Sequence, residues 1–218
     1  MSVALGAHGV RAVVLDIEGT ITPVSFMYDV LFPYARAHMR TYLRATATGD
    51  DAHIDAVVDR MTALMDADRK EPELKELQGK IWDAGYASGE LRGDVFPDVP
   101  PALERWAAAG HAIAIYSSGS VLAQRLLLGH TAYGDLTRFI SRFFDTHVGA
   151  KQAADSYRRI SGEIGGAPRD VLFISDVTAE LDAARAAGLN TLLCVRPGNA
   201  EQPPTTAATI TTFDEIAA

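Results

Sequence analysis

Short apolar runs recur along this chain, each closed by small or acidic residues. The first, Ala12-Val13-Val14-Leu15, is too short and too rich in β-branched residues for a helix and reads as a buried strand. Similar runs lie within His111–Tyr116, at Val171-Leu172-Phe173-Ile174 and at Thr191–Val195. Phe139–Phe144 predicts a short strand and Thr209-Ile210 a last edge strand. Between them the apolar spacing turns helical: Ala102–Ala109 stops at Gly110, Val121 runs to about Leu128, Ala153–Ile164 stops at Gly165-Gly166, and Glu180–Ala187 stops at Gly188. Strand and helix in alternation predict an α/β fold: a doubly wound, mostly parallel sheet with helices on both faces.

One stretch breaks the alternation. From about Met27 to Gly89 the apolar residues fall at helical spacing in three sets: Tyr28, Leu31, Tyr34, Ala35, His38 and Tyr42; Ile54, Val57, Val58, Met61, Leu64 and Met65; Leu74, Leu77, Ile81 and Trp82. Gly49-Asp50-Asp51 and Glu71-Pro72-Glu73 read as helix boundaries, with Asp50 or Asp51 able to cap the second helix. The division predicted is a core of residues 1–24 and 96–218, with residues 25–95 inserted after the first strand as a helical cap over the C-terminal edge of the sheet. The polar, Pro-rich segment Pro197–Thr206 reads as a surface loop.

Composition narrows the function classes. In 218 residues, 48% hydrophobic and 22% charged, the balance is that of an ordinary globular domain. A formal net charge of −8 with no offsetting basic stretch argues against nucleic-acid and membrane-surface partners. No apolar run is long enough to span a bilayer, and no basic segment precedes an apolar stretch at the N-terminus, so neither a membrane span nor a signal peptide is expected. The single cysteine, Cys194, lies in a predicted buried strand and reads as a small core hydrophobe in a reducing cytoplasm. The six histidines show no metal-ligand spacing.

The chemistry concentrates where strands end. Ligands of open α/β sheets bind at the C-terminal ends of the strands. Asp16 and Glu18 follow the first strand within Asp16-Ile17-Glu18-Gly19-Thr20, Ser117-Ser118-Gly119-Ser120 follows another, and Ser175-Asp176 a third. Lys151 stands just beyond Val148-Gly149-Ala150. Singly, each feature has an ordinary reading as a solvated strand end, a helix cap or a surface lysine. Together they supply a carboxylate nucleophile, a second carboxylate to move protons, hydroxyl and amide donors and a cation, which suits phosphoryl transfer. Asp16 and Asp176 are hard oxygen ligands suited to Mg²⁺, the amides after Ser117 open a helix, and Lys151 adds a point charge, so an anion is bound locally despite the negative total.

Asp-Ile-Glu-Gly-Thr, Ser-Ser-Gly-Ser, the lysine and Ser-Asp-Val-Thr-Ala-Glu resemble, in order, the four motifs of the haloacid dehalogenase superfamily. Glu18, where most members carry aspartate, resembles the enolase-phosphatase (acireductone synthase) subfamily of methionine salvage. Thr22–Phe26, Gly93–Pro100, Ser156–Ile160 and Glu180–Ala184 extend the likeness over nearly the whole chain. It implies a haloacid dehalogenase-like Rossmannoid core and a Mg²⁺-dependent phosphoric monoester hydrolase. The implied substrate is the small phosphorylated diketone 2,3-diketo-5-methylthiopentyl-1-phosphate, enolised and then dephosphorylated to the acireductone. It also implies roles. Asp16 becomes an aspartyl phosphate; Glu18 donates and accepts the proton; Asp16, the Glu18 carbonyl and Asp176 hold Mg²⁺; Ser117, Ser118 and Lys151 bind the phosphoryl group. Ser175 and Glu180 stand behind them, Glu180 ordering metal-bound water or Lys151. The enolisation base is Glu18 or a cap residue. Tyr28, Tyr34, Trp82 and Tyr86 are expected in the cap core rather than lining a thioether pocket, and Arg158 and Arg159 on a solvated helix face. A monomer suffices. The competing readings are a phosphatase or mutase of another small phosphorylated metabolite, a hydrolytic dehalogenase, and a non-catalytic binding protein.

Overall fold

The computed structural model describes residues 3–6, 9–46, 50–67, 69 and 71–218. Two compact units emerge, Met1–Val24 with Gly93–Ala218, and Ser25–Arg92. The strands of the first unit are β1 (Val3–Ala4), β2 (Ala12–Leu15), β3 (Ala112–Tyr116), β4 (Arg142–Phe144), β5 (Val171–Ser175), β6 (Asn190–Cys194), β7 (Ala208–Ile210) and β8 (Ile216–Ala217). Six of them form one sheet, ordered β4-β3-β2-β5-β6-β7 and parallel throughout. All four residues of β2 are buried, as its continuous apolar run requires in a strand covered on both faces. The chain builds outward from β2 to β3 and β4, then returns to the other side of β2 with β5. The strand order therefore reverses at β2, and the C-terminal end of β2 is the switch point at which open α/β sheets bind ligands. Asp16 is the first residue beyond that end.

The second unit is helical. A π-helical turn, Phe26–Leu31, leads into α1 (Phe32–Thr46), followed by α2 (Asp51–Asp66) and α3 (Pro72–Ser88). Leu31, Ala35 and Met39 carry the buried line of the first helical stretch. Tyr28, which helical spacing aligned with them, is 58% exposed. The π-turn explains this: the Phe32 N–H bonds the Met27 carbonyl, one residue further back than in an α-helix, and the spacing slips. Tyr34 is half-buried, and Trp82 and Tyr86 are buried, the Trp82 Nε1 donating to the Leu31 carbonyl at 2.8 Å. Asp50 caps α2 by accepting the His53 N–H at 2.9 Å, while Gly49 lies outside the described residues. Arg36, Arg40 and Arg44 on α1 pair with Asp66, Asp55 and Asp51 on α2, exposed contacts of small individual value.

The helices of the first unit are α4 (Val99–Ala108), α5 (Val121–Gly129), α6 (Ala154–Ile164) and α7 (Thr178–Ala186). Helix α4 starts three residues before the predicted Ala102, with Pro100 and Pro101 in its first turn, where a missing N–H costs nothing. One face of the sheet packs Val14, Tyr116 and Phe173 with Tyr157 and Ile160 of α6 and Leu181 of α7. Tyr157 meets Tyr116 edge-on at 5.5 Å and Phe173 at 5.0 Å. Arg158 pairs with Asp155 and stays exposed, as does Arg159. The short parallel pair β1–β8 has no counterpart in the apolar pattern. No helix among the described residues is long and apolar enough to cross a membrane.

A buried ion pair closes this unit. Asp98, just before α4, accepts from Arg196 Nη1 at 2.8 Å, from the Thr212 hydroxyl at 3.0 Å and from the Phe213 N–H at 2.6 Å. Burial alone would raise the Asp98 carboxyl, but the Phe213 N–H and Arg196 outweigh it and hold the group below its usual range. Asp98→Ala leaves the Arg196 charge buried without its counter-ion, so a loss of about 3–5 kcal/mol is expected at pH 7. With the folded pKa below the unfolded one, the contribution is present above the unfolded pKa and is lost as pH falls through the folded value. Denaturant titrations should therefore show wild type and Asp98→Ala converging as the solution is made acid. A constant gap from pH 7 to pH 3 would refute the ionic account.

Candidate active site

The loop after β2 is built almost wholly from its own backbone. The Asp16 N–H donates to the Ile174 carbonyl at 3.0 Å and prolongs the pairing of β2 with β5. The chain then winds so that the N–H groups of Thr20, Ile21 and Thr22 all point at the Ile17 carbonyl, at 3.1, 2.9 and 3.0 Å, and the Gly19 N–H donates to the Thr22 carbonyl at 2.8 Å. Gly19 has φ +72°, and a Cβ there would lie 2.3 Å from Asp176 Oδ2. Only glycine permits both the turn and the approach of the Asp176 carboxylate to the backbone.

Asp16, at the mouth of β2, meets Lys151. The Lys151 Nζ lies 2.5 Å from Asp16 Oδ1 and 2.7 Å from Glu180 Oε2, with 11% of the lysine side chain exposed. The Ser175 hydroxyl lies 2.9 Å from Glu180 Oε2 and 3.3 Å from Asp16 Oδ2, and accepts the Val177 N–H at 3.1 Å. The backbone carrying Lys151 is pinned by three hydroxyls: Tyr116 to the Gly149 carbonyl at 2.9 Å, Ser156 to Ala150 at 2.8 Å and Tyr157 to Lys151 at 2.6 Å. Gly149 adopts φ +139°, and a Cβ there would stand 2.2 Å from the Ser156 hydroxyl. The aromatic core under the sheet thus also sets the position of the lysine.

The charges do not balance. Asp16, Asp176 and Glu180 are all buried, at 4%, 8% and 8% exposure, and among the described residues the one ammonium paired with any of them is that of Lys151, which meets Asp16 and Glu180. Burial opposes charge on Lys151, yet Asp16 and Glu180 outweigh it and raise its pKa, so it stays protonated. Burial and the Asp16 charge push the Asp176 carboxyl up to about 7 and raise Glu180 as well. Asp176 forms no direct ion pair among the described residues. A buried carboxylate beside another, with no cation of its own, suits a hard divalent ion held by Asp16, Asp176 and the Glu18 carbonyl. Among the described residues no group of three or more His, Cys, Asp or Glu forms a cage, so backbone oxygen and water must complete such a shell.

Ser117 and Ser118 end β3, the neighbour of β2 in the sheet. The Ser117 N–H donates to the Phe144 carbonyl at 3.2 Å, and its hydroxyl accepts the Gly119 N–H at 3.1 Å. Ser120 caps α5 by accepting the Ala123 N–H at 3.3 Å, and the Val121 N–H donates to Asp145 Oδ2 at 3.3 Å, so these two donors of the first turn are already engaged and the expected anion site at the helix start is not open. Of the residues singled out from sequence, Asp16, Lys151, Ser175 and Glu180 are in direct contact, Asp176 lies against Gly19, and Glu18 is in the loop between them. Gln124 was not anticipated: its Nε2 donates to the Gly119 and Phe144 carbonyls, both at 2.9 Å. Nor were Arg196 and Asn199, which bond the carbonyls of Thr20 and Gly19 at 3.1 and 2.9 Å. Backbone-directed contacts over such separations have no periodicity to betray them.

Residues 10–188 match the family model described as haloacid dehalogenase-like hydrolase. The enolase-phosphatase E1 of Synechococcus elongatus is 45% identical, over 95% of this chain and 98% of its own. The probable bifunctional methylthioribulose-1-phosphate dehydratase/enolase-phosphatase E1 of Populus trichocarpa is 45% identical over 94% of this chain and 47% of its own. Among solved structures, the UTR4 protein of Saccharomyces cerevisiae superposes with a TM-score of 0.83 at 33% identity, covering 94% of this chain and 99% of that one.

Proposed function

The chain belongs to the haloacid dehalogenase-like hydrolase family, and on that premise we infer that it is an enolase-phosphatase of methionine salvage. It is a phosphoric monoester hydrolase that converts 2,3-diketo-5-methylthiopentyl-1-phosphate to 1,2-dihydroxy-3-keto-5-methylthiopentene and phosphate. The observation that carries the chemistry is the buried contact of Lys151 with Asp16 and Glu180 at the point where strand order reverses.

In the enolisation a proton leaves C1 and the C2 carbonyl oxygen gains one, forming the C1=C2 bond. A carboxylate oxygen of Asp16 then bonds to phosphorus as the bond from phosphorus to the C1 oxygen breaks, and Glu18 protonates the departing oxygen. Glu18, now ionised, takes a proton from water. That water attacks phosphorus, releases inorganic phosphate and restores Asp16. Lys151 keeps its charge throughout, held by Asp16 and Glu180, and offsets the charge on the phosphoryl oxygens. Ser117 and Ser118 hold those oxygens, and Ser175 fixes Glu180. Asp16, Asp176 and the Glu18 carbonyl would hold Mg²⁺, which would supply the positive charge that lets the phosphoryl oxygens and Asp16 share one site.

The diketo-phosphate is a small substrate, and the net charge of −8 and single buried cysteine fit a monomer of the cytoplasm that binds neither nucleic acid nor membrane. The test follows enediol absorbance and phosphate release together, with Mg²⁺ and with EDTA. Both signals should appear with Mg²⁺ and vanish with EDTA. Hydrolysis of an aryl phosphate but not of the diketo-phosphate would remove the substrate assignment and leave a phosphatase of another small metabolite. The cation also has an effect on stability. Because the Asp176 carboxyl sits at about 7 in the metal-free protein, Mg²⁺ competes with a proton in acid and meets a carboxylate in base. Added to chelator-treated protein, Mg²⁺ should raise Tm more at pH 8 than at pH 5.5. Equal shifts would show that Asp176 is already ionised at pH 5.5, against the raised value.

A further inference from the structure

The loop between Ile17 and Thr22 satisfies most of its polar groups by itself; the Phe96 N–H takes the Ile21 carbonyl, and two further carbonyls, those of Gly19 and Thr20, are bonded by side chains from outside. Both partners come from the segment just after β6, which the sequence marks only as the edge of a polar loop. Asn199 Nδ2 donates to the Gly19 carbonyl at 2.9 Å and to the Cys194 carbonyl at 3.3 Å. Arg196 Nε donates to the Thr20 carbonyl at 3.1 Å. Arg196 is itself fixed: Nη1 donates to Asp98 Oδ2 at 2.8 Å and to the Thr211 carbonyl at 3.0 Å, and the guanidinium carbon lies 4.5 and 4.8 Å from the ring centres of Phe96 and Phe213.

The arrangement is more polar than anchoring a loop requires. Thr20 Oγ1, Arg196 Nη2 and Asn199 Oδ1 are buried without a hydrogen-bond partner among the described residues, and all three belong to this one junction. Glu18 lies between Asp16, held by β5 and Lys151, and Gly19, held by Asn199. Its backbone is thus fixed on both sides.

We propose that Arg196 and Asn199 are positioning residues which, by holding the Thr20 and Gly19 carbonyls, aim Glu18 at the oxygen that leaves the phosphoryl group. The inference rests on Glu18 as the proton donor of the proposed function. A displaced proton donor hurts most when the leaving oxygen is strongly basic, and least when it departs readily as an anion. A merely structural role lowers both rates together.

The experiment measures kcat/KM for phenyl phosphate and for p-nitrophenyl phosphate, which share a shape and differ in the basicity of the leaving group. The proteins are wild type, Asn199→Leu, which is near in shape and lacks the donor, and Arg196→Lys, which keeps the charge beside Asp98 and lacks the Nε donor. Each is assayed well below its own melting temperature. The expected result is a loss of about tenfold or more on phenyl phosphate and of less than about threefold on p-nitrophenyl phosphate, in whichever variant folds. Equal losses on the two esters, or none, would overturn the proposal. If the wild type ignores the diketo-phosphate while the aryl esters show the split, the substrate assignment falls and the positioning role stands.

Discussion

Asp16→Asn should abolish phosphate release and leave the protein folded. The amide cannot attack phosphorus, so the route through an aspartyl phosphate is closed, and a fall of roughly 10⁴-fold or more in kcat is expected. The fold should survive because Lys151 keeps its contact with Glu180 at 2.7 Å. One negative charge also leaves a cluster that holds more carboxylates than ammonium groups. Three measurements check this together. Steady-state phosphate release should reach the background, and thermal unfolding should match wild type to within a few degrees. Intact-mass spectra of acid-quenched turnover should show a phosphate adduct in wild type and none in the variant. Retention of a tenth of the wild-type rate would end the nucleophile assignment, and a binding protein that needs no turnover would be untouched by the change.

Lys151→Met should cost nearly as much for a different reason. Methionine fills the space of the lysine stem but leaves Asp16 and Glu180 facing each other without the ammonium. Burial already raises Glu180, and without the cation one of the two must take up a proton to avoid two adjacent buried charges. The expected loss in kcat is about 10³-fold, comparable to removing a preorganised charge from other phosphoryl-transfer sites. Stability should also fall, by about 3–5 kcal/mol, since breaking a buried pair strands its partners. Glu180→Gln should be milder, because Lys151 retains Asp16 and Ser175 retains an oxygen acceptor. A Lys151→Met enzyme with kcat within tenfold of wild type would show that Lys151 only fills space.

Much of this was legible in the sequence because the signal was local. Ala12–Leu15 and Val171–Ile174 are continuous apolar runs, which a strand covered on both faces requires, and the residues that follow them fall at one edge of a parallel sheet by geometry alone. By that geometry Asp16, Asp176 and Ser175 are expected at the C-terminal ends of two strands, and they stand at the ends of β2 and β5. Lys151 had no local signal. Its site is made by Tyr116, Ser156 and Tyr157 hydroxyls on backbone carbonyls, and only the order of motifs pointed to it. Tyr28 was misplaced because a period of 3.6 does not survive a π-turn. Arg196 and Asn199 were missed because their targets lie 176 and 180 residues earlier and are main-chain atoms, which leave no trace in the pattern of side chains.

Where Ser25–Arg92 departs from the first unit and rejoins it, the flanking chain is already closed: the Phe96 N–H donates to the Ile21 carbonyl at 3.0 Å, and the Thr22 hydroxyl bonds the Asp94 carbonyl. The two ends of the insert therefore start from neighbouring points. The entropy of joining two such points grows only with the logarithm of the chain between them, so the sheet is nearly indifferent to the length of what is spliced there. Descent can replace, lengthen or remove the inserted helices without re-solving the folding problem of the sheet. Asp16, Asp176, Glu180 and Lys151 all belong to the sheet unit, so a change in the length of the insert leaves the points that carry them where they are.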